Sequence, residues 1–122
     1  MYRTLILLLL SGSIEAHEFT PTYPILKQSY IKDVLYTTMT LFNARNDVNY
    51  YELGVFDENW EKVPFAVQQK VMNIKHLERK KIDVYIKKGD KSRVRYICSI
   101  SKLLVTGEAK TSISSRICSK VK

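Results

Sequence analysis

The fold class is decided by two neighbouring stretches, Ile82-Asp83-Val84-Tyr85-Ile86-Lys87 and Val94-Arg95-Tyr96-Ile97-Cys98-Ser99-Ile100, separated at Gly89-Asp90. In the first, Ile82, Val84 and Ile86 alternate with Asp83, Tyr85 and Lys87. In the second, Val94, Tyr96, Cys98 and Ile100 alternate with Arg95, Ile97 and Ser99. A two-residue period rich in β-branched and aromatic side chains predicts strands, and Gly89-Asp90 predicts the break between them. The alternation places Lys87, Arg93 and Arg95 on the face opposite Ile86, Val94 and Tyr96.

The same pattern extends in both directions. Phe19–Leu26 reads as a first strand, and Pro21 and Pro24 put it at a sheet edge. Val34–Asn43 reads as a strand with Leu35, Thr37, Met39 and Leu41 on one face. Asn49–Phe56 is the next, with Tyr51, Leu53 and Val55 aligned, and Asp57-Glu58-Asn59 makes a turn. Phe65–Val67 and Val71–Ile74 are short extended pieces. A final strand is predicted from about Lys110 to Lys120. No long 3.6-residue period occurs after the N-terminus. About seven short strands predict an all-β, single immunoglobulin-like sandwich.

The chain has 122 residues, enough for one ordinary domain, and 45% of them are hydrophobic, which argues against general disorder. Residues 1–16 read as a secretory signal peptide. Arg3 gives a positive start, Leu5–Leu10 the apolar run, and Ala16 the residue before cleavage. No apolar run is long enough to span a bilayer. The domain then covers 17–122. In an exported chain, Cys98 and Cys118 suggest one disulfide. Two buried free thiols are the other reading.

From Met39 onward the segments resemble the N-terminal domain of PapD-like periplasmic pilus chaperones of the chaperone–usher pathway. Met39-Thr-Leu-Phe-Asn43 resembles a strand ending in a family Asn. Val55-Phe-Asp-Glu-Asn59 resembles the aromatic-acidic turn after the third strand. Pro64-Phe-Ala-Val67 followed by Val71-Met-Asn-Ile74 resembles a Pro-Phe-x-Val run and its hydrophobic sequel. Asp90-Lys-Ser-Arg-Val-Arg-Tyr-Ile-Cys98 resembles the strand entering the bridge of the disulfide-bonded subgroup. The resemblance implies a Cys98–Cys118 bridge between the last two strands.

It also implies a mechanism. Cys118-Ser119-Lys120 matches the spacing at which the family's lysine binds the C-terminal carboxylate of a pilus subunit, so Lys120 is the implied anchor. The donor strand, which completes a subunit's unfinished sandwich, would present Ala109, Thr111, Ile113, Ser115 and Ile117. Only two of these are large and apolar, and Thr20 stands where the family's second carboxylate ligand, an arginine, would be. The family has a second domain, and this chain ends where it would begin. The resemblance implies a periplasmic location, pilus or other envelope subunits as partners, possible contact with an outer-membrane usher, and no cofactor. The alternative is a structural or accessory envelope protein that keeps the fold without strand donation.

Other chemistry finds little support. There is no Gly-x-Ser-x-Gly elbow, and neither histidine has a Ser or Cys partner in sequence, so no enzyme is expected. Asp57 and Glu58 read as solvated turn residues. After cleavage His17 would be the amino-terminal residue, a potential copper ligand needing a second histidine, for which only His76 is available. The plainer expectation is an exposed His17. Cations predominate at +8, and Arg79, Lys80, Lys81, Lys87, Lys88, Lys91, Arg93 and Arg95 concentrate the excess. A solvated sheet face or a docking face for an envelope protein is expected there, rather than a nucleic-acid site. Trp60 is expected to cover one end of the sandwich or to meet a partner.

Overall fold

A computed structural model describes residues 17–102 and 115–122. The predicted signal segment, the donor-row positions Ala109, Thr111 and Ile113, and the start of the predicted last strand lie outside these residues. Among the described residues eight strands form: β1 Glu18–Thr20, β2 Lys27–Gln28, β3 Val34–Phe42, β4 Tyr50–Phe56, β5 Val71–Asn73, β6 Arg79–Lys87, β7 Tyr96–Lys102 and β8 Arg116–Lys120. They make two antiparallel sheets. In one, β3 is flanked by β6 on one side and by β1 and β2, end to end, on the other. The second runs β5-β4-β7-β8. The expected all-β, immunoglobulin-like sandwich is thus what the chain forms.

The inward rows supply the core. Leu35, Met39 and Leu41 from β3 and Ile82, Val84 and Ile86 from β6 face Tyr51, Leu53 and Val55 of β4 and Ile97 of β7, all buried. This is the alternation read from the sequence for β3, β4 and β6. Removing such apolar rows from water is the main drive for the fold.

Two expectations are corrected, and that for Phe65–Val67 is made more specific. The first strand is split: β1 pairs with Thr40–Phe42, the chain then leaves the sheet after a cis Thr20–Pro21 bond, and β2 returns to pair with Leu35 and Tyr36. Between them, the carbonyls of Thr22 and Pro24 accept from Lys120 N–H and Lys122 N–H of the other sheet. Two prolines without N–H groups favour this departure from a continuous ladder. Phe65–Val67 contributes a single bridge, Ala66 to Tyr85.

Second, the faces of β7 are the reverse of those read from alternation. Ile97, Ser99 and Ser101 point into the sandwich, and Tyr96, Cys98 and Ile100 point out. The outward row is partly covered by a second layer, with Cys98 buried and Tyr96 and Ile100 half-buried. The Trp60 ring stacks on Tyr96 with centroids 4.1 Å apart and tilts against Phe56 at 5.9 Å. Phe56 in turn folds over Gly54, where a Cβ would lie 2.8 Å from its ring. Trp60 therefore covers a sheet face, not an end of the sandwich. Its φ of 64° is costly for a bulky residue, and the stacked ring offsets that cost.

Candidate functional site

The site predicted from sequence is the last strand, β8, which pairs with β7. Cys98 and Cys118 are directly opposed in the β7–β8 register and form a disulfide. Val121 N–H donates to Arg95 O on the β7 side, whereas Lys120 N–H and Lys122 N–H donate away from β7, to Thr22 and Pro24. Alternation then aims the backbone groups of Ile117 and Ser119 at β7, and those of Arg116 and Cys118 at the outer edge. Among the described residues, no backbone partner meets Arg116 or Cys118 on that edge. β8 is therefore capped by the first segment at Lys120–Lys122, and β1, with His17 before it, lies close beside Arg116–Cys118 without a backbone bond to them among the described residues.

Side chains of β8 follow the opposite division. Arg116, Cys118 and Lys120 lie on the outer face, with Arg116 placed over the Trp60 ring at 4.9 Å. Lys120 is exposed and opposite Tyr96 in the register. Ile117 is half-buried and packs inward against the core. Thr20 is exposed on β1, opposite Thr40.

Ser115 belongs to a buried polar cluster that the sequence reading missed. His17 is buried, not exposed, at 2%. Its Nε2 lies 2.7 Å from Ser99 Oγ, its Nδ1 lies 3.2 Å from Ser115 Oγ, and its ring packs 4.7 Å from that of Tyr51. Ser115 N–H donates to Ser101 Oγ at 2.7 Å, tying the approach to β8 into the same group. Burial pushes the His17 pKa down to about 4, with nearby Arg45 contributing, so the imidazole is neutral near pH 7. His76 contacts Arg45 O instead, and no group of three or more potential metal ligands occurs among the described residues. The copper reading gains no second histidine here. The signal in the sequence was the Ser99-x-Ser101 pair: two small polar side chains on an inward row need a polar partner.

Beneath this cluster lies Asn43. Its Nδ2 donates to Val48 O and Ile74 O, both at 2.8 Å, and its Oδ1 accepts from Arg45 N–H at 2.9 Å and from the Tyr51 hydroxyl. Burial drives the Tyr51 pKa up to about 12, keeping this hydroxyl a donor. Arg45 pairs with Asp47 at 2.7 Å, which raises the arginine and lowers the carboxyl.

Comparisons with known proteins reach the fold but not the sequence. No family model matches, and no curated protein matches the chain. The E. coli chaperone DraB superposes with a TM-score of 0.62 at 15% identity, covering 87% of this chain and 53% of DraB. The chain thus spans about half the length of that chaperone. The PapD-like domain 7 of human CEP192 superposes at 0.59 with 8% identity, covering 98% of this chain and 94% of that domain. These superpositions, at low sequence identity, show that this chain has a PapD-like fold.

Proposed function

We propose that this chain is an exported, non-enzymatic protein of the bacterial envelope that binds another envelope protein by adding a strand at the edge of β8. One observation carries the reading: the outward backbone groups of Arg116 and Cys118 are unpaired among the described residues, on a strand pinned to β7 by a disulfide. Unpaired backbone groups on a rigid strand are a template for β-strand addition, which here requires the neighbouring β1 to give way. The likeness to DraB supports a pilus or fimbrial subunit as the occupant. Residues 1–16 would direct export, and the bridge fits an oxidising periplasm. In this reading Lys120, exposed beside these groups, holds a subunit's C-terminal carboxylate. An outer-membrane usher would receive the complex.

The accessory-protein reading is favoured by a different observation. Ile117 packs inward and Ser115 is held by His17 and Ser101, so two members of the implied donor row are already committed. Recovery of the mature chain from the periplasm, with mass spectrometry of what accompanies it, separates the two. A stoichiometric subunit with an incomplete sandwich, lost on Lys120→Ala or Arg116→Pro while the variants stay folded, is the expected result. The proline removes an outward N–H without touching the β7 ladder. Capture that survives both changes removes strand donation and leaves the accessory role.

A further inference from the structure

An open edge lies on the other sheet, where β6 borders the groove between the sheets. Tyr85 exchanges both backbone bonds with Ala66, at 2.9 Å each. Tyr85 therefore points its backbone away from β3, and alternation gives Asp83 and Lys81 the same outward aim. Beyond Ala66 the neighbouring segment leaves the edge and runs to β5. Among the described residues, no backbone partner replaces it at Asp83 or Lys81. The space it vacates is a groove of about 530 Å³, bordered by Val67, Met72 and Ile82 and by Lys80, Lys81 and Asp83.

The charges of this groove are unbalanced in a specific way. Lys80 stands on the inward row with Ile82, Val84 and Ile86, half-buried, where a cation is out of place without an anion. Lys81 is exposed on the outer row beside it. The ion pairs among the described residues join Arg45 to Asp47, Arg93 to Asp90 and Lys102 to Glu52, and none reaches Lys80 or Lys81. Asp83, the one acid among the described lining residues, accepts from Thr38 Oγ1 at 2.6 Å and keeps its charge, so Lys80, Lys81 and Asp83 together leave the groove with one excess positive charge. A lysine edge repels apolar strands and cationic copies of this chain, but it does not repel an acidic one.

We infer that the β6 edge is a second strand-addition site, which takes an extended acidic segment of another protein. The added strand would bond to the outward amides and carbonyls of Lys81 and Asp83, continuing the line that Ala66 begins. Its side chains alternate between the two faces. Acidic residues meet Lys81 outside and Lys80 inside, and an apolar residue meets Met72 and Ile82. The site is separate from the β8 edge and stands whether or not β8 donates.

The capped peptide VTVEETT, whose two adjacent glutamates fall on opposite faces when extended while its valines share the inner face, is titrated into the 15N-labelled chain to test this. The expected result is saturable shifts of the Lys81 and Asp83 amides, with β8 unmoved. Lys80→Glu/Lys81→Glu should weaken binding by about tenfold or more, as loss of two charge pairs does. These exposed and half-buried positions leave the core intact, and an unchanged spectrum elsewhere verifies it. The same peptide with alternate amides N-methylated should also lose about tenfold, because backbone pairing is what methylation removes. Equal binding of the methylated peptide, shifts confined to Arg116–Lys120, or a concentration-dependent dimer through β6 that ignores the peptide would each overturn the assignment.

Discussion

At the scale of single residues, the interior of this sandwich is held by polar side chains as well as apolar ones. Asn43 satisfies four groups from three parts of the chain: Val48 O, Ile74 O, Arg45 N–H and the Tyr51 hydroxyl. Asn43→Ala strands all of them, and an expected loss of about 3 kcal/mol or more should appear in urea unfolding. Tyr51→Phe removes one donor only and should cost about 1 kcal/mol. His17 adds a pH dependence whose sign is fixed by its depressed pKa. Above the ordinary imidazole value near 6.5, folded and unfolded chains both hold it neutral. Between 6.5 and about 4 the unfolded chain takes up a proton that the folded chain refuses, so stability falls as pH falls through this window. The full loss is of the order of 3 kcal/mol and is complete below about pH 4. Thermal melts from pH 7 to 4 should show that slope, and His17→Gln should flatten it. A slope unchanged by His17→Gln would place the titration elsewhere. The Asp47 carboxyl, held low by Arg45, acts only at more acid pH.

At the scale of elements, β3, β4 and β6 were legible because each alternates strictly and each faces a single core. β7 was not, because its inward row is buried and its outward row is half-buried. One lies against the core and His17, and the other lies under Trp60 and Phe56, so hydrophobicity no longer distinguishes inside from outside. The first strand misled for a related reason: Pro21 and Pro24 announced an edge, but not that the edge would pass between sheets. For β8, the sequence showed a cysteine pairing and a lysine two residues on; its outer edge is capped at one end by Thr22 and Pro24, which no local pattern reveals. The bridge closes a loop of about 20 residues and should contribute about 3 kcal/mol by restricting the unfolded chain. Cys98→Ser/Cys118→Ser should lose that much. Hydrogen exchange should then speed up at Ile117 and Ser119 more than at β3 or β6. Uniform acceleration across both sheets would mean that the bridge stabilises the whole molecule without specifically stiffening the β8 edge. Gly54→Ala tests the outer layer alone: its Cβ displaces Phe56, at a cost of about 1–3 kcal/mol.

At the scale of the whole molecule, charge is the property that neither core nor topology decides. Two-layer packing would tolerate almost any surface, yet this one carries a net +8. The ion pairs among the described residues are few and at least partly exposed. The run of cations at 79–95 predicts a solvated or docking face. The structure divides that run. Arg79 lies 4.7 Å from the Phe42 ring, Arg93 pairs with Asp90, and Lys80 and Lys81 face the β6 groove. Like charges repel more in the compact chain than in the expanded one, so the excess destabilises the fold through its own field. Raising salt from about 20 to 200 mM shortens the screening length from roughly 20 to 7 Å. The melting temperature should therefore rise with salt, by a few degrees, where a protein held by surface ion pairs would lose stability. Lys80→Glu/Lys81→Glu changes the net charge by four, from +8 to +4, and should cut the salt response to about a quarter in the same buffers, because self-repulsion scales with the square of the charge. A response that the double variant leaves at full size would locate the repulsion away from the β6 edge, among Lys87, Lys88, Lys91 and the cations of β8.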